Sequence, residues 1–127
     1  MKYEIEYPLG CKESSAYLAS TGCGSGWNDG LVPDNLIGLD ISEACKIHDY
    51  CYTVGVNKKD KVKADKLFYR NLKNIVYSDN KLILRTTRLA LAYAYYKFVS
   101  DFGDSYFWEG KPKPKHKTLF EKLMFWK

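Results

Sequence analysis

Hydrophobic residues recur at the helical spacing in three stretches of the chain, and polar or glycine-rich segments separate the three. The pattern predicts helices at about 41–54, 60–77 and 81–100, and a shorter helix near 14–19. Gly55 and Gly103 stand where the first and third of these helices would end. The connections are short, which favours antiparallel packing of neighbouring helices. We therefore expect an all-α fold.

Two details refine these helices. Asp40 and Glu43 have the spacing of a capping box, so Asp40 is predicted to cap the first helix. The third helix contains "LALAYAYYKFV", which is apolar nearly all round and is expected to be the most buried element.

The segments outside the helices divide the chain. Residues 21–39 are rich in Gly, Asn, Asp and Pro and are predicted to form a long loop, which is usually functional. After Gly110, alternating Lys and Pro cannot sustain a helix. We expect a helical domain over residues 1–110 and a basic aromatic tail over residues 111–127.

Length and charge set further bounds. The chain has 127 residues and a net charge of +5, which fits a single domain. The tail holds six lysines and one glutamate and so carries the whole excess. It could bind anionic lipid, nucleic acid or an acidic partner, or be a solvated end. No apolar run could span a bilayer. The start lacks the pattern of a signal peptide, so we expect no Sec export, a removed leader or another delivery route.

The four cysteines, which are Cys11, Cys23, Cys45 and Cys51, leave two states open. They would form two disulfides in an oxidising compartment, or remain reduced in the cytosol. Spacing alone allows three pairings.

Polar side chains occupy one face of the first helix, where an apolar stripe is normally found. They are Cys45, His48, Asp49 and Tyr52. Either the spacing is chance on a surface helix, or the face is a functional site. Zinc fits poorly, because Cys45 and Cys51 would lie about 240° apart around the helix axis.

Calcium fits the sequence better than zinc. The loop sequence "GCGSG" spaces glycines so that successive carbonyls can turn inward, and Asp49 offers a carboxylate. A Cys23–Cys45 disulfide would hold this loop against the helix face. With one carboxylate, we expect a dissociation constant of about 10⁻⁴–10⁻³ M.

His48 has a candidate partner on the second helix. Asp65 lies on the apolar side of that helix, where an unpaired carboxylate would be costly. Asp65 could accept the Nδ1–H of His48 and leave Nε2 as a base, and Tyr52 and Tyr69 could add phenol hydrogen bonds. The alternatives are a structural or exposed histidine and a surface acid among lysines.

Four motifs resemble those of the secreted-type phospholipase A2 family, closest to its prokaryotic and fungal branch and to related phage or viral domains. They are "GCGSG", "GLDISEACKIHDYCY", "DKLFYRNL" and "YYKFVSDFG". The resemblance implies a small disulfide-stapled helical domain. In it, two antiparallel helices carry the active site, a third helix is buried and a Gly-rich loop binds Ca²⁺.

The resemblance also implies roles for individual residues. His48 would be the general base and Asp65 its orienting carboxylate, with Tyr52 and Tyr69 in support. The calcium ligands would be Gly22, Gly24, Gly26 and Asp49. The chain departs from the family at Trp27, where many relatives have glycine, and at Ala44, where they have a second cysteine. Cys51 lacks its usual partner and would pair with Cys11.

The implied activity is calcium-dependent hydrolysis of the sn-2 ester of glycerophospholipids by a water that His48 activates. The partner would be a phospholipid bilayer or micelle surface, and the location extracellular or virion- or phage-delivered. The alternative is a catalytically weak phospholipase-like module that binds a membrane or a partner. A nucleic-acid-binding protein is disfavoured, because no base-reading motif occurs and the charge is confined to the tail.

Overall fold

The computed structural model describes residues 3–20, 22 and 33–112. Within these ranges the chain is mostly helical, with one small sheet. The elements are α1 (Ser15–Ala19), β1 (Asn35–Leu36), β2 (Leu39–Asp40), α2 (Ser42–Val54), α3 (Lys58–Ser78), α4 (Leu82–Phe102) and α5 (Asp104–Phe107). The predicted helices match α1 to α4 within two residues at each end, and Gly55 and Gly103 follow α2 and α4 as expected.

The small sheet corrects the prediction that residues 21–39 are loop throughout. β1 and β2 are antiparallel, with Asn35 opposite Asp40 and Leu36 opposite Leu39. The tight turn between them holds Ile37 at φ 48° and Gly38 at φ 86°. The sequence "NLIGLD" is too short for its alternating pattern to be distinguished from a loop.

Arg88 of α4 fixes this turn in place. Its side chain is 3% exposed and donates to the carbonyl oxygen of Ile37 from Nη2 at 2.6 Å and from Nε at 3.2 Å. Nη1 lies 2.9 Å from Oδ2 of Asp79. The buried guanidinium therefore has an anion and a carbonyl as partners, which offsets its desolvation. The hairpin leads directly into α2, so Arg88 helps to place the start of that helix.

The core forms where α2, α3 and α4 meet. A three-residue connection, 55–57, joins α2 to α3, and such a short link makes the two helices antiparallel. The main cluster of buried apolar side chains comprises Leu36, Ile41, Ala44, Cys45, Phe68, Leu72, Val76, Ala92 and Val99.

Helix α4 is less buried than α2 or α3, so the prediction that it would be the most buried element is wrong. Seven residues of α3 are buried, against three of α4. Helix α4 leaves Leu82, Ile83 and Phe102 exposed by 68%, 91% and 66%. Because α3 lies between α2 and α4, helix α4 packs on α3 with one face only. The apolar residues on its other faces stay exposed.

The predicted capping box at the start of α2 is also wrong. The residue before the helix is Ile41, whose side chain makes no capping hydrogen bond. Asp40 instead accepts from the backbone N–H and the hydroxyl of Ser42, at 2.9 and 2.7 Å. The carboxylate of Glu43 accepts hydrogen bonds from the phenols of Tyr7 and Tyr17, at 2.5 and 2.7 Å. The Glu43 carboxylate is therefore bound by two tyrosines distant in sequence and does not bond to the start of α2.

The N-terminal segment lies along α3 and is held by side-chain amides. Asn71, fully buried, accepts from the Glu6 N–H at 2.8 Å and donates to the Glu6 carbonyl at 3.1 Å. Asn74 donates to the Glu4 carbonyl at 2.9 Å. These bonds satisfy main-chain groups of Glu4 and Glu6, which lie outside the helices and strands.

Lys111, the first residue of the predicted tail, contacts the helical part of the chain. Its ammonium donates to the carbonyl oxygen of Tyr52 and lies 3.9 Å from the ring centroid of Phe107. The boundary at residue 110 stays a prediction. The rest of the predicted tail, residues 113–127, is outside the described part of the chain. No helix in the described part is long and apolar enough to cross a membrane.

Candidate active site

His48 and Asp65 form a buried pair between α2 and α3. Each residue is 3% exposed, and Nε2 of His48 lies 2.8 Å from Oδ1 of Asp65. The two positions, 17 residues apart in sequence, meet because α2 and α3 pack antiparallel. The structure thus brings together the two residues that the sequence singled out as a base and its partner.

The ring orientation differs from the prediction. The nitrogen that faces Asp65 is Nε2, whereas Nδ1 was expected there. With Asp65 as the acceptor, Nε2 carries the proton and Nδ1 is the nitrogen with a free lone pair. The sequence could not decide this, because the side-chain torsions of His48 are set by packing. The His48 ring lies 4.1 Å from the centroid of Tyr52 and 4.9 Å from that of Phe68.

Asp65 has partners on both carboxylate oxygens. The Tyr52 hydroxyl donates to Oδ1 at 2.7 Å, and the Lys61 ammonium donates to Oδ2 at 2.8 Å. Burial by itself would raise the pKa of Asp65, but the hydrogen bonds from His48, Lys61 and Tyr52 outweigh it and hold the pKa below its usual value. Asp65 is therefore an anion that faces His48.

Lys61 is the site residue that the sequence analysis missed. It is 4% exposed, and it donates to the carbonyl oxygens of Val99 and Ser100 at 3.4 and 3.2 Å as well as to Asp65. It thereby ties the Asp65 carboxylate to the end of α4. The available signal was the i, i+4 spacing of Lys61 and Asp65, which puts both on one helix face.

Tyr52 is placed as predicted, and Tyr69 is not. Tyr52 is buried, and burial together with the Asp65 carboxylate raises its pKa. Tyr69 makes no hydrogen bond to the pair. Its ring stacks on Tyr96 at a centroid distance of 5.0 Å and contacts Tyr93 edge-on at 5.8 Å. Tyr69 therefore belongs to an aromatic contact between α3 and α4. The hydrogen bond to Asp65 that was expected from Tyr69 is made by Lys61 instead.

Two glycines allow the close packing around Tyr52. A Cβ at Gly103 would lie 2.5 Å from the Tyr52 hydroxyl, and a Cβ at Gly55 would lie 2.7 Å from the Phe107 ring. Phe107 in turn contacts Tyr52 edge-on at 5.2 Å. Gly55 and Gly103 therefore allow Phe107 and the backbone before α5 to pack directly against Tyr52, whose hydroxyl donates to Asp65.

Asp49 follows His48 and points to the start of the Gly-rich loop. Its Oδ2 accepts a hydrogen bond from the Ser20 hydroxyl at 2.6 Å, and the Gly22 N–H donates to the same hydroxyl at 3.3 Å. Burial raises the pKa of Asp49, and Ser20 and His48 offset only part of that effect. A carboxylate in this state is one that a cation would stabilise.

Gly22 is held in a conformation that favours glycine. Its φ is 102°, and a Cβ there would lie 3.0 Å from Oδ1 of Asp34 and 3.1 Å from Cβ of Ser42. The other predicted ligands, Gly24 and Gly26, are outside the described residues. Within the described ranges no three His, Cys, Asp or Glu side chains converge on a metal position. A cation here would therefore depend on Asp49 and on main-chain oxygens, the donor set that calcium accepts.

The cysteines depart in part from expectation. Cys45 is disulfide-bonded, and its predicted partner, Cys23, lies outside the described residues. Cys11 and Cys51 are free thiols, so the pairing of these two is wrong. Burial, followed by the neighbouring Cys11, raises the pKa of the Cys51 thiol to about 12, which keeps it in the unreactive protonated form.

Comparison of the chain with protein-family models, with curated proteins and with solved structures finds no match.

Proposed function

We propose that this protein is a calcium-dependent phospholipase A2 that hydrolyses the sn-2 ester of glycerophospholipids. The observation that carries the proposal is the buried His48–Asp65 pair, in which Nε2 faces the carboxylate at 2.8 Å. A pair of this kind is suited to take a proton from water, and the next residue, Asp49, has the chemistry of a cation ligand.

The proton transfer would use three residues of this chain. Nδ1 of His48 accepts a proton from a water that attacks the ester carbonyl, which makes the ring an imidazolium. The Asp65 carboxylate stabilises that cation through Nε2–H, as the acid of a hydrolase triad does. Lys61 holds the second oxygen of Asp65, so the carboxylate keeps one orientation towards the ring. A positioned base of this type contributes typically about 10²–10⁴-fold in rate.

The proposed calcium ligands are Asp49 and the carbonyl oxygens of Gly22, Gly24 and Gly26. The Ser20 hydroxyl donates to Asp49 and accepts from the Gly22 N–H, so the start of the loop is linked to the carboxylate through Ser20. The positive φ and tight surroundings of Gly22 fit a loop in which glycine is required. When bound, Ca²⁺ supplies Lewis acidity at the ester carbonyl and a positive charge for the phosphate.

The test is release of fatty acid from vesicles of a phospholipid with different acyl chains at sn-1 and sn-2. We expect the sn-2 chain to be released in the presence of calcium, and release to stop when chelator is in excess. Release of the sn-1 chain would contradict the proposed regiochemistry. Vesicle binding with no release at any calcium concentration would favour the non-catalytic binding module.

A further inference from the structure

A cavity lies on the faces of α2 and α3 that point away from the His48–Asp65 pair. Its volume is about 440 Å³, within the range of roughly 300–1,000 Å³ that small-molecule sites occupy. Pro8 of the N-terminal segment forms one side, and residues of α2 and α3 form the others. None of its lining residues belongs to the proposed catalytic or calcium site.

Part of the lining of this cavity is apolar. Val54 of α2, Ala64 and Leu67 of α3, and Pro8 line it, and the Cys51 thiol lies among them. Val54 is 53% exposed, so this surface is in contact with solvent. Covering an apolar surface of this kind with a hydrocarbon chain lowers the free energy, because both surfaces are removed from water.

The lining of the cavity also contains three basic residues. Lys63, Lys66 and Arg70 line it at positions i, i+3 and i+7 of α3, so they project from adjacent turns. Arg70 is paired with Glu6 at 2.9 Å, whereas neither lysine forms an ion pair with a described residue. Among the described lining residues one is acidic, Asp60, and it accepts from the Val56 N–H at 2.9 Å. Two lysines are thus available for an anion.

We propose that this cavity binds an unesterified long-chain fatty acid, with its carboxylate between Lys63 and Lys66 and its chain along Val54 and Leu67. An apolar surface beside two exposed cations suits a ligand that is anionic at one end and apolar along its length. A neutral lipid would make no ion pair with the two lysines. A small polar anion would leave the apolar surface exposed to water. The choice of a fatty acid rests on the proposed function, which releases one.

The test measures binding of a fluorescent fatty acid to the full chain, below its critical micelle concentration and without vesicles. The His48→Gln protein in excess chelator is used, so the result does not depend on hydrolysis. The paired change Lys63→Glu with Lys66→Glu should weaken binding about tenfold or more, because it replaces two attractive charges beside the carboxylate with two repulsive ones. The matched control is Lys58→Glu with Lys59→Glu. Both lysines are exposed on the same helix, and neither is among the described residues that line the cavity.

Displacement by unlabelled compounds identifies the ligand class. Oleate should displace the probe, and oleyl alcohol should displace it at least about tenfold less well. Equal weakening in both charge-reversed pairs, or equal displacement by the alcohol, would overturn the proposal. Tighter displacement by an alkyl phosphate than by oleate would overturn the assignment to a fatty acid. A failure here leaves the hydrolysis test intact, and a failure of that test leaves this measurement intact.

Discussion

Lys61 and Asp65 form an ion pair on one face of α3, with Nζ 2.8 Å from Oδ2 and both side chains at most 5% exposed. Such a pair costs desolvation, but removal of one member leaves an uncompensated buried charge. We therefore expect Lys61→Met or Asp65→Asn alone to lower the free energy of unfolding by about 3–5 kcal/mol.

The double variant tests whether the two residues act as a unit. We expect Lys61→Met with Asp65→Asn to cost well under the sum of the single changes, because the second change removes the stranded charge. Urea unfolding followed by circular dichroism gives the three free energies. Additive costs would show that the pair is not coupled.

The two site carboxylates should respond to pH in opposite directions. The pKa of Asp65 is held below the unfolded value of 3.8, so its stabilising effect is fully present above that pH and is lost as the pH falls through the lower, folded value. The pKa of Asp49 is raised, so ionised Asp49 costs stability above its folded pKa and that cost disappears as the pH falls below 3.8.

Unfolding measured in chelator between pH 3 and pH 7 checks both signs. At neutral pH, Asp49→Asn should stabilise the protein and Asp65→Asn should destabilise it, and both differences should shrink at the acid end. A stabilising effect of Asp65→Asn at neutral pH would contradict the ionised pair.

Gly22→Ala should damage the proposed calcium site. The new Cβ would meet Asp34 and Ser42 at 3.0 and 3.1 Å, at a φ that disfavours side chains. We expect a stability loss of about 1–3 kcal/mol and weaker calcium binding in a calorimetric titration.

Gly110→Ala is the matched control for that change. Gly110 also has a positive φ, 73°, but a Cβ there would meet nothing within 4 Å. It should show only the backbone strain and unchanged calcium binding. The assignment of Gly22 to the calcium site would be wrong if both variants bound calcium like the parent protein.

Deletion of residues 113–127 should weaken binding to anionic vesicles. This segment carries five lysines and one glutamate, and a basic residue near an anionic surface contributes about 1 kcal/mol. The deletion keeps Lys111 and its bond to the Tyr52 carbonyl, so hydrolysis of a soluble monomeric substrate should be unchanged. Cosedimentation with anionic and neutral vesicles measures the effect, and an equal loss of binding and soluble turnover would reject a membrane role.

Local patterns sufficed to predict the helices and the central pair. The apolar spacing of α3 and the glycines after α2 and α4 are local signals, and the acid on the apolar side of α3 needed a partner that antiparallel packing supplied. Asp65 and His48 could be matched because each was unusual on its own helix face.

The features that the sequence did not predict depend on tertiary contacts. Glu43 satisfies two tyrosines from the N-terminal segment and so does not cap α2. Two of the partners of the buried Lys61 ammonium are carbonyl oxygens at the end of α4, which is distant from Lys61 in sequence. Which nitrogen of His48 faces Asp65, and where Tyr69 packs, are likewise set by neighbours that no local pattern identifies.

The central claim is that His48 is the base of a phospholipid hydrolase. The most direct measurement compares sn-2 fatty-acid release, at saturating calcium, by the parent protein, by His48→Gln and by a control, His116→Gln, which changes the other histidine of the chain. The account predicts a loss of about 10²-fold or more for His48→Gln and parental activity for the control. Parental activity in His48→Gln, with folding and calcium binding intact, would contradict it.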